Sequence, residues 1–416
     1  MYNACVIRSC VALVAYFFVA FSAFAGDNAA AVQNFLKQNG IPDNSVALKI
    51  IDLQDGAVIA AHNETAPLVP ASIMKSVTTA ALLQSAGPDW RYHTRIYIDG
   101  PTDLGYLRGN VIVEGACDPT LNSSKEPFSE DIVEEICEAL KTQYINRIEG
   151  SVIIDENNFC GSSQPDSWAK EDCAKYYGTG SHAFNYSDNA RGDFAVKKPS
   201  STFLPLLKRK LAASGIDLED HPMPEGRRIQ IHDHLSAPLD EIMRSCMMRS
   251  DNLFAESMLR TYDKLEGGDG STEGAALRIT SLWKDQELPL DGVCIIDGSG
   301  LSRSNRVTAN FMGELLKNMS VNPHYASFFP LAGQEGTLRK FLAGTALDSY
   351  VAMKTGSMRG IQCYAGYKLD EEYNPTHVIV IIMNDITKSR DRAKQAAEKL
   401  LLAIFDDMVS SQTSEI

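Results

Sequence analysis

Ser72 and Lys75, three residues apart in Pro70-Ala71-Ser72-Ile73-Met74-Lys75, are the residues of this sequence best placed for covalent chemistry. In a helix, positions i and i+3 share a face, so this hydroxyl and this amine can meet. An amine that takes the proton of a serine makes it a nucleophile, provided burial and nearby cations keep the lysine neutral. Alone the pair is unselective, because Ser167 with Lys170 and Ser281 with Lys284 repeat it. Two further stretches separate the copies. Ser250-Asp251-Asn252 opens a helical run, and Lys354-Thr355-Gly356, followed by Ser357, ends the apolar run 349–353. Ser-Asp-Asn recurs at Ser187-Asp188-Asn189, where turn chemistry accounts for it. Lys-Thr-Gly occurs once.

Together these residues supply what acyl transfer requires: a nucleophile, a base, an oxyanion site and groups that hold the substrate. Ser72 is the candidate nucleophile and Lys75 its base. Ser250 is placed to relay a proton to a leaving amine, and Asn252 to hold a substrate amide. Lys354 and Thr355 offer a cation and a hydroxyl to a carboxylate. Gly356 would leave room for an extended substrate beside an edge strand. The backbone N–H groups of Ser72 and Ser357 would form the oxyanion hole.

The elements that must position these groups follow from periodicity. Helices are expected at 28–38, from Ser72 onward, at 130–141, 203–213, 239–248, 250–263, 274–283, 308–317 and 390–405. Strands are expected at 45–53 and 57–61, which form a hairpin, and at 92–98, 110–114, 151–155, 228–232, 293–296, 350–354, 362–368 and 377–383. Strands at both ends with helices between them suggest an α/β domain whose chain is interrupted by an insertion. The polar stretch 157–191 carries Trp168, Tyr176, Tyr177 and Tyr186, the mark of a folded irregular loop. His232-Asp233-His234 lacks a third ligand nearby and reads as a surface turn, so no metal site is expected.

With 416 residues, 44% hydrophobic and 22% charged, the chain has the composition of a globular protein of two or more domains. A net charge of −14 excludes a general nucleic-acid binder, which needs clustered Lys and Arg. Arg8, the apolar run after it and Ala23-Phe24-Ala25 fit a secretory signal peptide over 1–25. The acidic tail 406–416 offers no basic surface helix, so no membrane anchor is expected there. Cleavage would remove Cys5 and Cys10 and leave an odd number of cysteines. Among these, Cys160 and Cys173 flank a loop and are the expected disulfide, and Cys246 is expected in the core.

Ser-x-x-Lys, Ser-x-Asn and Lys-Thr-Gly in this order form the motif set of β-lactamases and penicillin-binding proteins. The sequence resembles the class C low-molecular-mass penicillin-binding proteins of the D-alanyl-D-alanine carboxypeptidase/endopeptidase type. The likeness covers most of the mature chain. Residues 114–121, ending Asp118-Pro119-Thr120-Leu121, are similar to the family's Gly-Asp-Pro-Thr-Leu. Residues 148–155 resemble the strand that follows, and Ala183-Phe184-Asn185-Tyr186 resembles its Ala-Leu-Asn-Tyr. Residues 297–303, 305–308 and 333–338 match loops around the site.

The resemblance implies a transpeptidase-like catalytic domain, an antiparallel sheet flanked by helices, over 26–92 and 233–416, with a smaller domain inserted over 93–232. It implies a serine hydrolase with no cofactor that cleaves D-Ala-D-Ala or peptide cross-links of peptidoglycan stem peptides, is acylated by β-lactams, and works in the periplasm or another extracytoplasmic space. It also implies a side pocket lined by Asp118, Ser299, Leu301, Arg303 and Met358. Cys117, where glycine is usual, and Arg359, where a small polar residue is common, depart from the pattern. A secreted β-lactamase with Glu287 activating water, and a silent wall-binding homologue, are the alternatives.

Overall fold

The computed structural model describes residues 28–412 except 39, 126, 128, 129 and 388, with side chains up to Phe405. The expected signal segment lies outside the described residues.

Alternating side chains build a two-faced sheet from both ends of the chain. Five antiparallel strands lie in the order Val351–Met358, Ile361–Leu369, Pro375–Met383, Val46–Asp52, Val58–His62. Ala47 and Ile51 face one layer, while Val46, Leu48 and Ile50 face the other. The second layer is completed by the helix 28–38 and by Arg390–Gln412. The first is a larger core around helix Met74–Ala86, which is buried from Met74 through Leu83. Helices Leu239–Arg249, Asn252–Leu265, Thr272–Asp285 and Ala309–Met319 pack about it. A helix enclosed on every side needs no amphipathic stripe, and Lys75, Ser76, Thr78 and Thr79 are buried with its apolar residues.

A third core draws on residues from Ile96 to Ile216. It lies against a sheet ordered Ile229–Leu235, His93–Ile98, Val111–Glu114, Val152–Asp155, and against helices Ile132–Thr142 and Ser200–Ala213. The strand that closes this sheet continues to Leu235.

Three expectations give way here. His232 and His234 lie on that strand rather than on a surface turn. Both contact the Glu135 carboxylate, at 2.6 and 3.0 Å, and His234 is buried. A helix packed across the strand gives the histidines a charged partner that local sequence did not reveal. The expected strand 293–296 reduces to a single bridge between Cys294 and Arg306, because the chain turns at once into the 297–303 loop. Cys160 and Cys173 are free thiols. The Cys160 backbone is tied to Asp269 and Arg260, whereas Cys173 ends a short helix, Lys170–Cys173. As expected, Cys246 is fully buried.

Candidate active site

Ser72 sits one turn before the helix proper. It belongs to a 3-10 turn, Ala71–Ile73, that feeds into Met74–Ala86, so the seryl oxygen stands at the helix mouth and stays partly exposed. Ala71 has φ +47, a strained value for a residue with a Cβ. Two glycines let neighbouring segments of the chain hold this turn. A Cβ on Gly300 would lie 1.9 Å from the Ala71 carbonyl oxygen, and one on Gly356 would lie 2.6 Å from that of Pro70 and 3.1 Å from the Ser72 nitrogen. The room expected at Gly356 for a substrate is thus taken by the nucleophile's own turn.

Lys75 lies fully buried behind Ser72. Its Nζ is 3.0 Å from Ser72 Oγ, 2.7 Å from Asn252 Oδ1 and 2.7 Å from the Ser299 carbonyl oxygen. Burial holds this amine below the usual lysine value, against the opposing pull of Cys246, Asp251, Glu256 and Asp297. A neutral amine has two N–H donors and one lone pair. Asn252 and Ser299 take the two donors, which leaves the lone pair for the Ser72 hydroxyl.

Each residue of Ser-Asp-Asn has its own backbone task. Ser250 is left-handed, φ 59, and ends helix Leu239–Arg249; Asp251 caps the next helix by accepting from the Phe254 N–H at 3.1 Å. Ser250 therefore precedes the helix instead of lying in it. Asn252 opens that helix, Asn252–Leu265, and its amide donates to the Tyr177 carbonyl at 2.8 Å. Lys354, fully buried on the edge strand, donates to Ser250 Oγ at 2.8 Å and to the Thr355 carbonyl at 2.7 Å. Burial, then the Lys75 charge, drives its pKa well down.

A cavity of about 470 Å³ opens at this constellation. Ser72, Ser250, Thr355 and Ser357 line it, with Thr337 bonded to Thr355 at 2.8 Å. Arg390 and Lys394 of the C-terminal helix border it too, which local sequence did not suggest.

The five side-pocket candidates do not line this cavity. Asp118 is buried, its Oδ1 accepting from the Thr120 N–H at 2.8 Å and hydroxyl at 2.6 Å in a turn that leaves its Oδ2 buried without a hydrogen-bond partner among the described residues. Ser299 is buried and serves Lys75 through its carbonyl. Leu301 and Met358 are half-buried, Met358 against the core, and exposed Arg303 donates to the Arg359 carbonyl at 2.8 Å. Cys117 has φ +61, a value that favours the glycine usual there, and its Sγ lies 3.0 Å from Ser181 Oγ. In the other two Ser-x-x-Lys copies, serine and lysine are both exposed, as is Glu287. Sequence reading missed Glu256, which lies four residues after Asn252 and so on the same helix face; Asp297 and Asn305 fall in stretches matched to loops around the site and Trp168 in the polar stretch, but none was given a role.

An antiparallel sheet whose edge strand carries Lys-Thr-Gly beside a buried Ser-x-x-Lys helix defines the penicillin-binding protein and serine β-lactamase class. Residues 28–192 and 185–403 match the model of the D-Ala-D-Ala carboxypeptidase 3 (S13) family, and the chain belongs to that family. By family it is a serine-type D-Ala-D-Ala carboxypeptidase. Carboxypeptidase DacB of Mycolicibacterium smegmatis is 28% identical, over 77% of this chain and 73% of its own. D-alanyl-D-alanine carboxypeptidase DacB of Haemophilus influenzae is 22% identical, over 76% and 80%. The crystal structure of penicillin binding protein 4 from H. influenzae shares the fold, with TM-score 0.76 at 20% identity, covering 92% of this chain and 99% of that one. A peptidoglycan endopeptidase from Bdellovibrio bacteriovorus, Bd3459, aligns with TM-score 0.55 at 18% identity, over 88% and 93%.

Proposed function

We propose that Ser72 attacks the carbonyl carbon of the penultimate D-alanine in peptidoglycan stem peptides, at free D-Ala-D-Ala tails or at cross-links, and that β-lactams acylate the same oxygen. The three contacts of Lys75 carry this reading. The neutral amine takes the Ser72 proton as the ester bond forms. The amide C–N bond then breaks, and the leaving amine receives a proton through Ser250, which Lys354 holds in place. Thr355 presents a hydroxyl toward the terminal carboxylate, Lys354 stays buried behind it on Ser250, and the Ser72 and Ser357 amides face the oxyanion. Water then hydrolyses the acyl-enzyme.

The separate core between Ile96 and Ile216 supports an inserted domain, with its boundary at Leu235 rather than 232. Among the described residues no helix is long and apolar enough to cross a membrane. We place the mature enzyme outside the cytoplasm, where its substrate lies. Exposed Glu287 gives the β-lactamase reading no deacylating base.

Labelling with a fluorescent penicillin tests the assignment. Wild type is expected to carry a stable covalent label and Ser72→Ala none. Unlabelled wild type would remove Ser72 from its role, and rapid release of the label would identify a β-lactamase.

A further inference from the structure

Beneath Lys75 lies a buried carboxylate with no part in the proposed steps. Glu256 is one helical turn past Asn252, so one face of helix Asn252–Leu265 presents both side chains toward the same lysine. Asn252 touches Lys75 directly. Glu256 reaches it through the backbone of Ser299: Oε1 accepts from the Ser299 N–H at 2.8 Å and Oε2 from the Gly298 N–H at 3.3 Å. The carbonyl of Ser299 is the second acceptor of Lys75, and the carbonyl of Gly298 accepts from Thr78 of the lysine's own helix at 2.8 Å. Glu256 thus grips both amides of the segment that aims the Lys75 lone pair.

We infer that Glu256 is a positioning residue for the acyl-transfer step: it fixes the Ser299 carbonyl against Lys75 and supplies the negative charge against which that amine gives up its proton. The inference rests on Lys75 being the base.

The surroundings fit both tasks. Asp297 faces Glu256 in the same buried site and is already saturated, with donors from Gly300, Ser302, Asn305 and Trp168. Burial and then Asp297 push the Glu256 carboxyl up to about 7. The other groups acting on Lys75 are Cys246 and Asp251, and Lys354 bears on it from the edge strand. Glu256 therefore gains or loses its charge in the pH range where the enzyme would work, and Lys75 responds. Removing that charge lowers the Lys75 pKa, so the acid limb of activity, which reports the neutral amine, moves to lower pH.

The test measures the second-order rate of acylation by a fluorescent penicillin across pH for wild type, Glu256→Gln, Glu256→Asp and Lys75→Ala, with melting curves as folding controls. Glutamine can accept only one of the two amide hydrogens. Glu256→Gln is expected to lower the high-pH plateau about tenfold or more and to shift the acid limb to lower pH. Glu256→Asp, which keeps the charge, should keep the limb near its wild-type position. A Glu256→Gln profile that superimposes on wild type, or that only scales down without a shift, overturns the inference. Retained acylation in Lys75→Ala would instead remove the base assignment beneath it. Should Glu256→Gln fail to fold, the inference is judged on Glu256→Asp: its two-carbon reach loosens the Ser299 grip, so an unchanged plateau would overturn it.

Discussion

A buried lysine is costly unless its N–H groups are paired, and Lys75 has two acceptors and one nucleophile in reach. Lys75→Ala is expected to abolish penicillin labelling while circular dichroism stays native, since alanine suits the helix and leaves no stranded charge. Away from the cleft, His234 and Glu135 form a second charged contact with a definite pH signature. Burial opposes ionisation of Glu135, but bonds from His234 and then His232 outweigh it and bring its carboxyl to about 2. Burial would lower the His234 pKa, yet Glu135 and Asp118 raise it above the usual histidine value. The Glu135 contribution is present above its unfolded pKa and is lost as pH falls toward 2. The His234 contribution is present below its unfolded pKa and is lost as pH rises through the raised folded value. The melting-temperature deficit of Glu135→Gln is therefore expected to be largest near about pH 5 to 6 and to shrink toward both sides. A deficit that is flat with pH would refute the coupling.

At the scale of elements, caps and close approaches set the site. Thr308 accepts from the Phe311 N–H at 3.0 Å and starts helix Ala309–Met319; Thr308→Ala should cost about 1 kcal/mol in urea unfolding without altering acylation chemistry. Gly356 behaves differently. A Cβ there would press on the Pro70 carbonyl and the Ser72 amide, so Gly356→Ala is expected to displace the nucleophile turn. Acylation should fall by well over tenfold for a stability loss of only about 1–3 kcal/mol. Equal acylation in that variant would show that the turn has slack.

The whole molecule is tied to its catalytic loops through distant segments. The Trp168 indole N–H donates to Asp297 Oδ2 at 2.8 Å, which joins the irregular 157–191 stretch to the loop that positions Lys75. Trp168→Phe removes one of the donors to a buried carboxylate and is expected to cost about 1–3 kcal/mol. It should slow acylation as well, and an unchanged acylation rate would show the link to be purely structural. In the same stretch, mass mapping under non-reducing conditions is expected to find Cys160 and Cys173 unlinked.

Short-range signals carried much of this protein. The motif order, the helices from Met74 and Ala309, and the strands carrying 351–358, 361–369 and 375–383 were legible because periodicity and capping are local. The same holds for the family resemblance, which rests on contiguous stretches. Only tertiary structure decided which acceptors hold Lys75, what Gly356 makes room for, that Asp118 closes on Thr120 away from the cavity at Ser72, and that Glu135 joins two histidines about a hundred residues away. Those facts depend on the approach of segments far apart in the chain, and nothing in the order of residues within one segment encodes its distance to another.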